Sequence, residues 1–352
     1  MSTPRGSRTL ACVRDGASDL PARWASTSWR EELEAWLVPA LAGAGLRVNG
    51  PVVQDRVRFW STVLHVETDG GRVWVKENAP SQAFEARLVV EVERLAPGRM
   101  PPVVATEPDR GWVATRDIGT PMGSRPEVAD EAWVELVTEW AELQRDLLPH
   151  GPELLATGLS AFPETDAVGW AADLADELDA LPSDDPRRLS TAERAHVEAG
   201  LPAVATAAEE LGSSGLAPSL EHNDLHLGNA FHAEGERVRF IDLGDAVLAH
   251  PLTAFRIPVW ILAERRGGIA DPLVRRVVDA ALEPWTDVLP LTDLRALLPA
   301  ADRVSCLHRA LSWRRLVADV PLRVVDPDYR RSHAEWLLTA TDPDPFMRAT
   351  GS

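Results

Sequence analysis

The chain has 352 residues, 45% of them apolar, enough for one large domain or two smaller ones around a sizeable core. Its 36 basic and 54 acidic residues leave a net charge of −18, which repels nucleic acid and anionic membrane and argues against both as partners. No window reaches the roughly 18 apolar residues of a membrane span, the N-terminus lacks an apolar signal core, and Cys12 and Cys306 suggest neither a disulfide framework nor a metal knuckle. A cytoplasmic protein is expected.

Residues 1–27 read as a mobile tail. "TSWREELEAWLVPALAGAGL" then opens with Ser28 and Glu31 in capping-box spacing. Leu33, Trp36, Leu37, Ala40 and Leu41 recur there at helical spacing, and Gly43 and Gly45 end the helix. Three β-rich runs follow, "GPVVQDRVRF", "WSTVLHVETDG" and "GRVWVKEN", the last two joined by the hairpin turn "TDGGR". "SQAFEARLVVEVERLAPG" reads as a helix with Phe84, Leu88, Val92 and Leu95 on one stripe, stopped by Pro97-Gly98. "PPVVATEPDRGWVATRDIG" reads as a second hairpin. After Gly119 long amphipathic helices take over, including one with a capping box at Ser190 and Glu193. A short β patch lies at 219–247, and four or five helices run on to about residue 340. The expected layout is α+β: a small β-rich lobe over 28–118 and a larger helical lobe over 119–352.

The chemistry concentrates in "EHNDLHLGNAFHAEGERVRFIDLGDA", residues 221–246. "AFHAE", a turn at Gly235, and "RVRFID" form a hairpin, so Asn229 and Asp242 become neighbours at its open end. An amide oxygen beside a carboxylate is a pair of hard donors suited to Mg²⁺. Asp224 precedes the pair by one loop, placed to accept a proton from a hydroxyl held near the metal.

The string Asp224-Leu-His-Leu-Gly-Asn229, a hairpin, and Asp242-Leu243-Gly244 resembles the protein-kinase catalytic loop and its Asp-Phe-Gly. His226 and Gly228 inside the loop make it similar to the small-molecule branch, the aminoglycoside phosphotransferase and choline kinase-like family. Asn223 and Leu227 stand where that family more often has Gly and Pro. The resemblance is strong at 222–244, diffuse elsewhere, and covers roughly residues 30–320.

It implies a two-lobed protein-kinase-like fold that uses ATP and Mg²⁺ to phosphorylate a hydroxyl of a small molecule, with an aminoglycoside-like antibiotic the leading guess and an amino alcohol or sugar the alternative. Under it Asp224 is the base, and Asn229 and Asp242 hold metal. Lys76 holds the α/β-phosphates and pairs with Glu85. Ser61 and Thr62 stand in for a glycine-rich loop, and the backbone near Arg116 to Ile118 meets adenine. Trp260, Trp313 and His308 lie on helices expected to wall the acceptor pocket. Asp173, Asp176, Glu177 and Asp179 are either a polyamine-binding run or a solvated face. Asp245 reads as a structural carboxylate. No Ala-Pro-Glu follows the Asp-Leu-Gly, which leaves little room for a peptide-docking segment.

Two other readings exist. His222, Asp224 and His226 alternate as metallohydrolase ligands do, with His232 or His250 completing a set. A non-catalytic nucleotide-binding pseudokinase is the other, weakened because Lys76, Asp224, Asn229 and Asp242 are all present.

Lys76 is the only lysine in the chain, so the other 35 of its 36 basic residues are arginine. An ammonium on a thin stem fits where a broad planar fork does not. Replacing Lys76 with Arg is expected to cut turnover strongly despite the retained charge. A near-normal rate in a steady-state assay would remove the argument from the lone lysine.

Overall fold

The computed structural model describes residues 18–124, 130–232 and 237–347. Five antiparallel strands, β1 (Val53–Val57), β2 (Ser61–Thr68), β3 (Gly71–Asn78), β4 (Val103–Glu107) and β5 (Trp112–Arg116), lie in the order β1-β2-β3-β5-β4. Helices α1 (Leu20–Trp24) and α2 (Thr27–Gly43) precede them, and α3 (Glu85–Leu95) joins β3 to β4. The turn between β2 and β3 closes on the pair Thr68 and Gly71. Gly71 sits there at φ +97°, a conformation that a side chain disfavours.

Strand alternation divides the sheet's two faces. Leu64, Val66, Val73, Val75 and Ala114 are buried in one cluster with the Leu33, Leu37 and Leu41 stripe of α2. Lys76 is turned to the opposite face, where it meets the Glu85 carboxylate of α3. On the α2 side, the buried Glu77 carboxylate accepts from Trp29 Nε1 at 2.7 Å, and also from the Trp112 indole and the Arg23 guanidinium. Arg23 and Trp29 thereby fasten α1 and α2 to β3, immediately behind Lys76, and Trp112 adds a tie from β5.

That anchoring corrects the expected tail. Asp19 caps α1, accepting from Ala22 N at 3.1 Å, and Leu20 and Trp24 are buried. Residues 18–27 therefore belong to the folded small lobe, while 1–17 lie outside the described residues. The α2 cap also differs from the sequence reading. The helix starts at Thr27, so Ser28 already lies in its first turn, and Ser26 caps by accepting from Trp29 N at 3.3 Å.

The larger lobe contains α4 (Asp130–Leu147), α5 (Gly151–Ala156), α6 (Ala167–Asp179) and α7 (Thr191–Gly212), the last with the Ser190–Glu193 capping box. Short strands follow: β6 (Ser219–Glu221), β7 (Ala230–Phe231), β8 (Arg239–Phe240) and β9 (Val247–Ala249), with β6 pairing β9 and β7 pairing β8. Then come α8 (Arg256–Arg266), α9 (Pro272–Leu282), α10 (Leu291–Ala296), α11 (Leu298–Ala318) and α12 (Ser332–Ala340). Among the described residues no helix is long and apolar enough to cross a membrane.

The two lobes share packing. Leu316, Val317, Val320 and Val325 belong to the same buried cluster as the sheet and α2. At the turn between β1 and β2, Trp60 meets Trp313 at 6.0 Å and Tyr329 at 5.6 Å, both edge-on, and those two rings stack at 4.9 Å. The β1–β2 turn is thus seated on the large lobe.

Two buried histidines make stability depend on pH. Burial, with His308 nearby, holds His250 down to about 3, and burial beside Arg187, Arg314 and Arg331 holds His333 down to about 4. The folded state keeps both neutral, so on acidification the unfolded chain takes up protons first. Their contribution is complete above the free value near 6.5 and is lost as pH falls toward 3–4. Between pH 7.5 and 5 each is expected to cost about 2 kcal/mol of stability. Urea unfolding at the two pH values checks this, and equal midpoints would contradict neutral burial.

Candidate active site

Lys76 Nζ donates to Glu85 Oε2 at 2.7 Å and to Asp242 Oδ1 at 2.5 Å. Glu85 is the first residue of α3 and is buried. Its Oε2 also accepts from the Asn78 amide, and its Oε1 accepts from Leu243 N at 2.9 Å. One carboxylate therefore holds the strand lysine and also the backbone of the Asp242-Leu243-Gly244 turn. Asp242 has φ +66°, a left-handed conformation that Asp tolerates better than most residues. Burial alone would lower the Lys76 pKa, but the Asp242 and Glu85 carboxylates outweigh it and raise it above the ordinary lysine value. Burial likewise works to raise Asp242, and Lys76 overrides it and holds the carboxyl at about 2.

The loop after β6 is fixed from below. His222 Nε2–H donates to Ile241 O at 3.0 Å. Asn223 has φ +61°, and its amide donates to Asp245 O at 3.2 Å and His308 O at 3.3 Å. This accounts for the Asn in place of the family's Gly, because the position requires a left-handed backbone, and Asn is among the side-chain-bearing residues that enter it most readily. Asp224 follows, half-buried, its carboxylate 3.5 Å from Arg309 Nη1 and 3.7 Å from His226 Nε2. His226 Nδ1 accepts from Gly228 N at 2.9 Å, and burial pushes this histidine below its usual value.

Asn229 Nδ2 donates to Asp224 O at 3.1 Å, and Ile241 N donates to Asn229 O at 3.0 Å. Asn229 and Asp242 are thus brought together at the base of the β7–β8 pair, as the hairpin argument requires. Both fit a hard divalent cation. The amide nitrogen is tied down, so the oxygen is the atom left to donate, and Asp242 is held ionised.

A cavity of about 480 Å³ opens in front of Lys76, lined by Val63, Trp74, Val113, Ile118, Phe240 and Asp242 among others. Arg116 and Ile118 line it. Ser61 and Thr62 do not, and both are buried. Thr62 pairs with Glu77 and so shares its face, and its hydroxyl is satisfied inside the sheet by Gln54 Nε2 at 2.8 Å and Arg56 O at 3.1 Å. The Thr62 hydroxyl is therefore unavailable to a ligand in this cavity.

The histidine set expected of a metallohydrolase does not converge. His222 is spent on Ile241 O, His226 on Gly228 N, and His250 on Ser214 Oγ and Leu252 N. Among the described residues no three His, Cys, Asp or Glu side chains gather as a metal group. His308 is buried against Phe162, while Trp260 is exposed on α8 and Trp313 belongs to the aromatic contact between the lobes. On α6, Asp176 pairs with Arg194, Glu177 with Arg314 and Asp179 with Arg188.

Several supporting residues escaped the sequence reading. Arg309 on α11 donates to Asn223 O at 2.8 Å and Asp245 Oδ2 at 3.2 Å. Asp245 also accepts from Gln82 Nε2 at 2.7 Å and from the Ser312 hydroxyl, so it ties the segment before α3 to α11. Trp74 Nε1 donates to Asp117 Oδ1 at 3.0 Å beside the connector. Partners some 85 residues apart leave no local sequence signal.

Solved structures share this fold. Macrolide 2'-phosphotransferase type I matches over 89% of this chain and 97% of its own, at 14% identity and a TM-score of 0.54. APH(2'')-IIa in a gentamicin complex matches over 92% of this chain and 98% of its own, at 14% identity and 0.57. The fold is that of the small-molecule kinases. Ethanolamine kinase from Plasmodium vivax has it too, matching over 85% of this chain and 84% of its own, at 12% identity and 0.58. No protein-family model matches the chain, and no curated protein does. The kinase-like fold accounts for the small sheet, the helical large lobe and the cleft between them.

The left-handed position before Asp224 gives a test. Asn223→Val is expected to destabilise the protein by roughly 1–3 kcal/mol more than Asn223→Gly, because a β-branched residue is strained at this φ. Equal losses in chemical denaturation would show that Asn223 matters only for its hydrogen bonds.

Proposed function

We propose that this protein is an ATP-dependent phosphotransferase that moves the γ-phosphoryl group to a hydroxyl of a small molecule. The observation that carries the reading is the Lys76–Glu85–Asp242 cluster at the back of a cleft, with the Asp224–Asn229 loop hydrogen-bonded beside it. Lys76 holds the α/β-phosphates while Glu85 fixes its position. Asn229 and Asp242 hold Mg²⁺, whose charge offsets that of the phosphates. Asp224 orients the acceptor hydroxyl and takes its proton as the oxygen attacks in line. Adenine lies at the connector beside Trp74. Arg116 N and Asp117 N are committed to Pro102 O and Arg72 O, so the N–H of Ile118 is the group placed to meet the base. A supply of ATP sets the protein in the cytoplasm.

For the acceptor, the reading stays at a hydroxylated small molecule. Likenesses to macrolide, aminoglycoside and ethanolamine kinases make those three classes the first to try. An aminoglycoside remains the leading guess, yet the α6 acids that would have met a polyamine are largely matched by arginines already.

The test is ADP release by purified protein with Mg²⁺ and ATP, over a panel of aminoglycosides, macrolides and amino alcohols. One acceptor class is expected to stimulate it, with phosphate found on the acceptor. Asp224→Asn is expected to abolish transfer while ATP still binds. Undiminished turnover of that acceptor by the variant would show that the base is another group.

A further inference from the structure

Sequence alternation places Arg56 on the wrong side of its strand. Gln54 pairs with Leu64, so unbroken pairing would set Asp55 opposite Val63 and Arg56 opposite Thr62, on the α2 face. The register instead slips between Gln54 and Arg56, and Arg56 pairs with Val63. A bulge of this kind turns the following side chains over. Val63 pairs with Lys76 and Lys76 with Val113, so four residues run in cross-strand line on the cleft face. All four line the cavity, as does Asp55. Arg56 and Lys76 sit two strands apart, about 10 Å across the sheet, which two long side chains can close onto neighbouring phosphates.

The charges already in place leave this cation uncommitted. Lys76 is shared by two carboxylates, Arg116 reaches Gly70 O at 2.9 Å, and Asp55 is held by His65 Nδ1 at 2.5 Å. Arg56 is exposed, and among the described residues its guanidinium has neither an ion pair nor a hydrogen bond. Its charge is nevertheless felt at Asp242. The β1–β2 turn, Arg58-Phe59-Trp60, contains no glycine, Arg58 N is spent on Ser61 O at 2.8 Å, and the two aromatic rings are packed down. That turn is poorly built to lay backbone N–H groups over a phosphate chain.

We propose that Arg56 is a second phosphate-binding cation of the cleft, gripping the terminal phosphates of the nucleotide from the sheet side where a glycine-rich loop would otherwise do so. This rests on the nucleotide reading above. Calorimetric titration of the full chain with adenosine, AMP, ADP and ATP, each with Mg²⁺, separates the two ideas. Arg56→Ala is expected to weaken ATP binding by about tenfold or more, as loss of a charge-assisted contact should, and to leave adenosine and AMP within about twofold. Arg56→Lys is expected to recover part of the loss, and Arg56→Ala to flatten the salt dependence of ATP affinity. Unchanged ATP affinity in Arg56→Ala, or an equal loss for adenosine, overturns the role of Arg56 while nucleotide binding stands. A wild-type protein that binds none of the four overturns both.

Discussion

A partly buried ion cluster, with Glu85 at its enclosed end, joins the two lobes, and the rest of the site takes its position from it. Lys76 extends from the sheet, Glu85 opens the helix behind it, and Asp242 comes from the far lobe. Glu85 also accepts from the backbone after Asp242, so the small lobe grips the turn as well as the side chain. Removing one member would strand charge in a poorly solvated place. That mutual dependence is the physical reason to read the three as one unit that receives a charged ligand.

Around this cluster, each lobe is braced from outside the cleft. Glu77, adjacent to Lys76 on the strand, faces the other way and collects two indoles and a guanidinium. Asp245, three residues beyond Asp242, collects Gln82, Ser312 and Arg309. Arg309 in turn holds the carbonyl of Asn223, next to Asp224. Late helix α11 thereby supports the loop proposed to carry the base and, through Leu316 and Val317, closes the small lobe's core. This brace can fix Asp224 far more closely than its own short loop would.

How much of this was legible beforehand varies from residue to residue. Asn229 and Asp242 could be paired because hairpin geometry is a short-range rule, while Lys76 and Glu85 were matched to each other through the resemblance at 222–244, on a strand and a helix that local patterns marked. The covering groups could not. Ser61 and Thr62 looked suitable by chemistry, but both residues are buried, and Thr62 shares the face of Glu77 and spends its hydroxyl inside the sheet. Arg56 drew no reading from the sequence, and the slip in pairing is what turns it to the cleft face. His308 and Trp260 were singled out only as residues on helices expected to wall the acceptor pocket, and packing buries the first and leaves the second exposed.

The sequence by itself determined the order of strands and helices, the hairpin that brings Asn229 to Asp242, and the presence of one lysine among many arginines. These follow from local backbone preference and side-chain chemistry, which act between near neighbours. The tertiary structure alone decided that residues 18–27 fold onto the sheet, that α11 supports both lobes, and which face Arg56 presents. Those outcomes depend on contacts between segments up to hundreds of residues apart and on a one-residue bulge, and neither leaves a periodic trace in the chain.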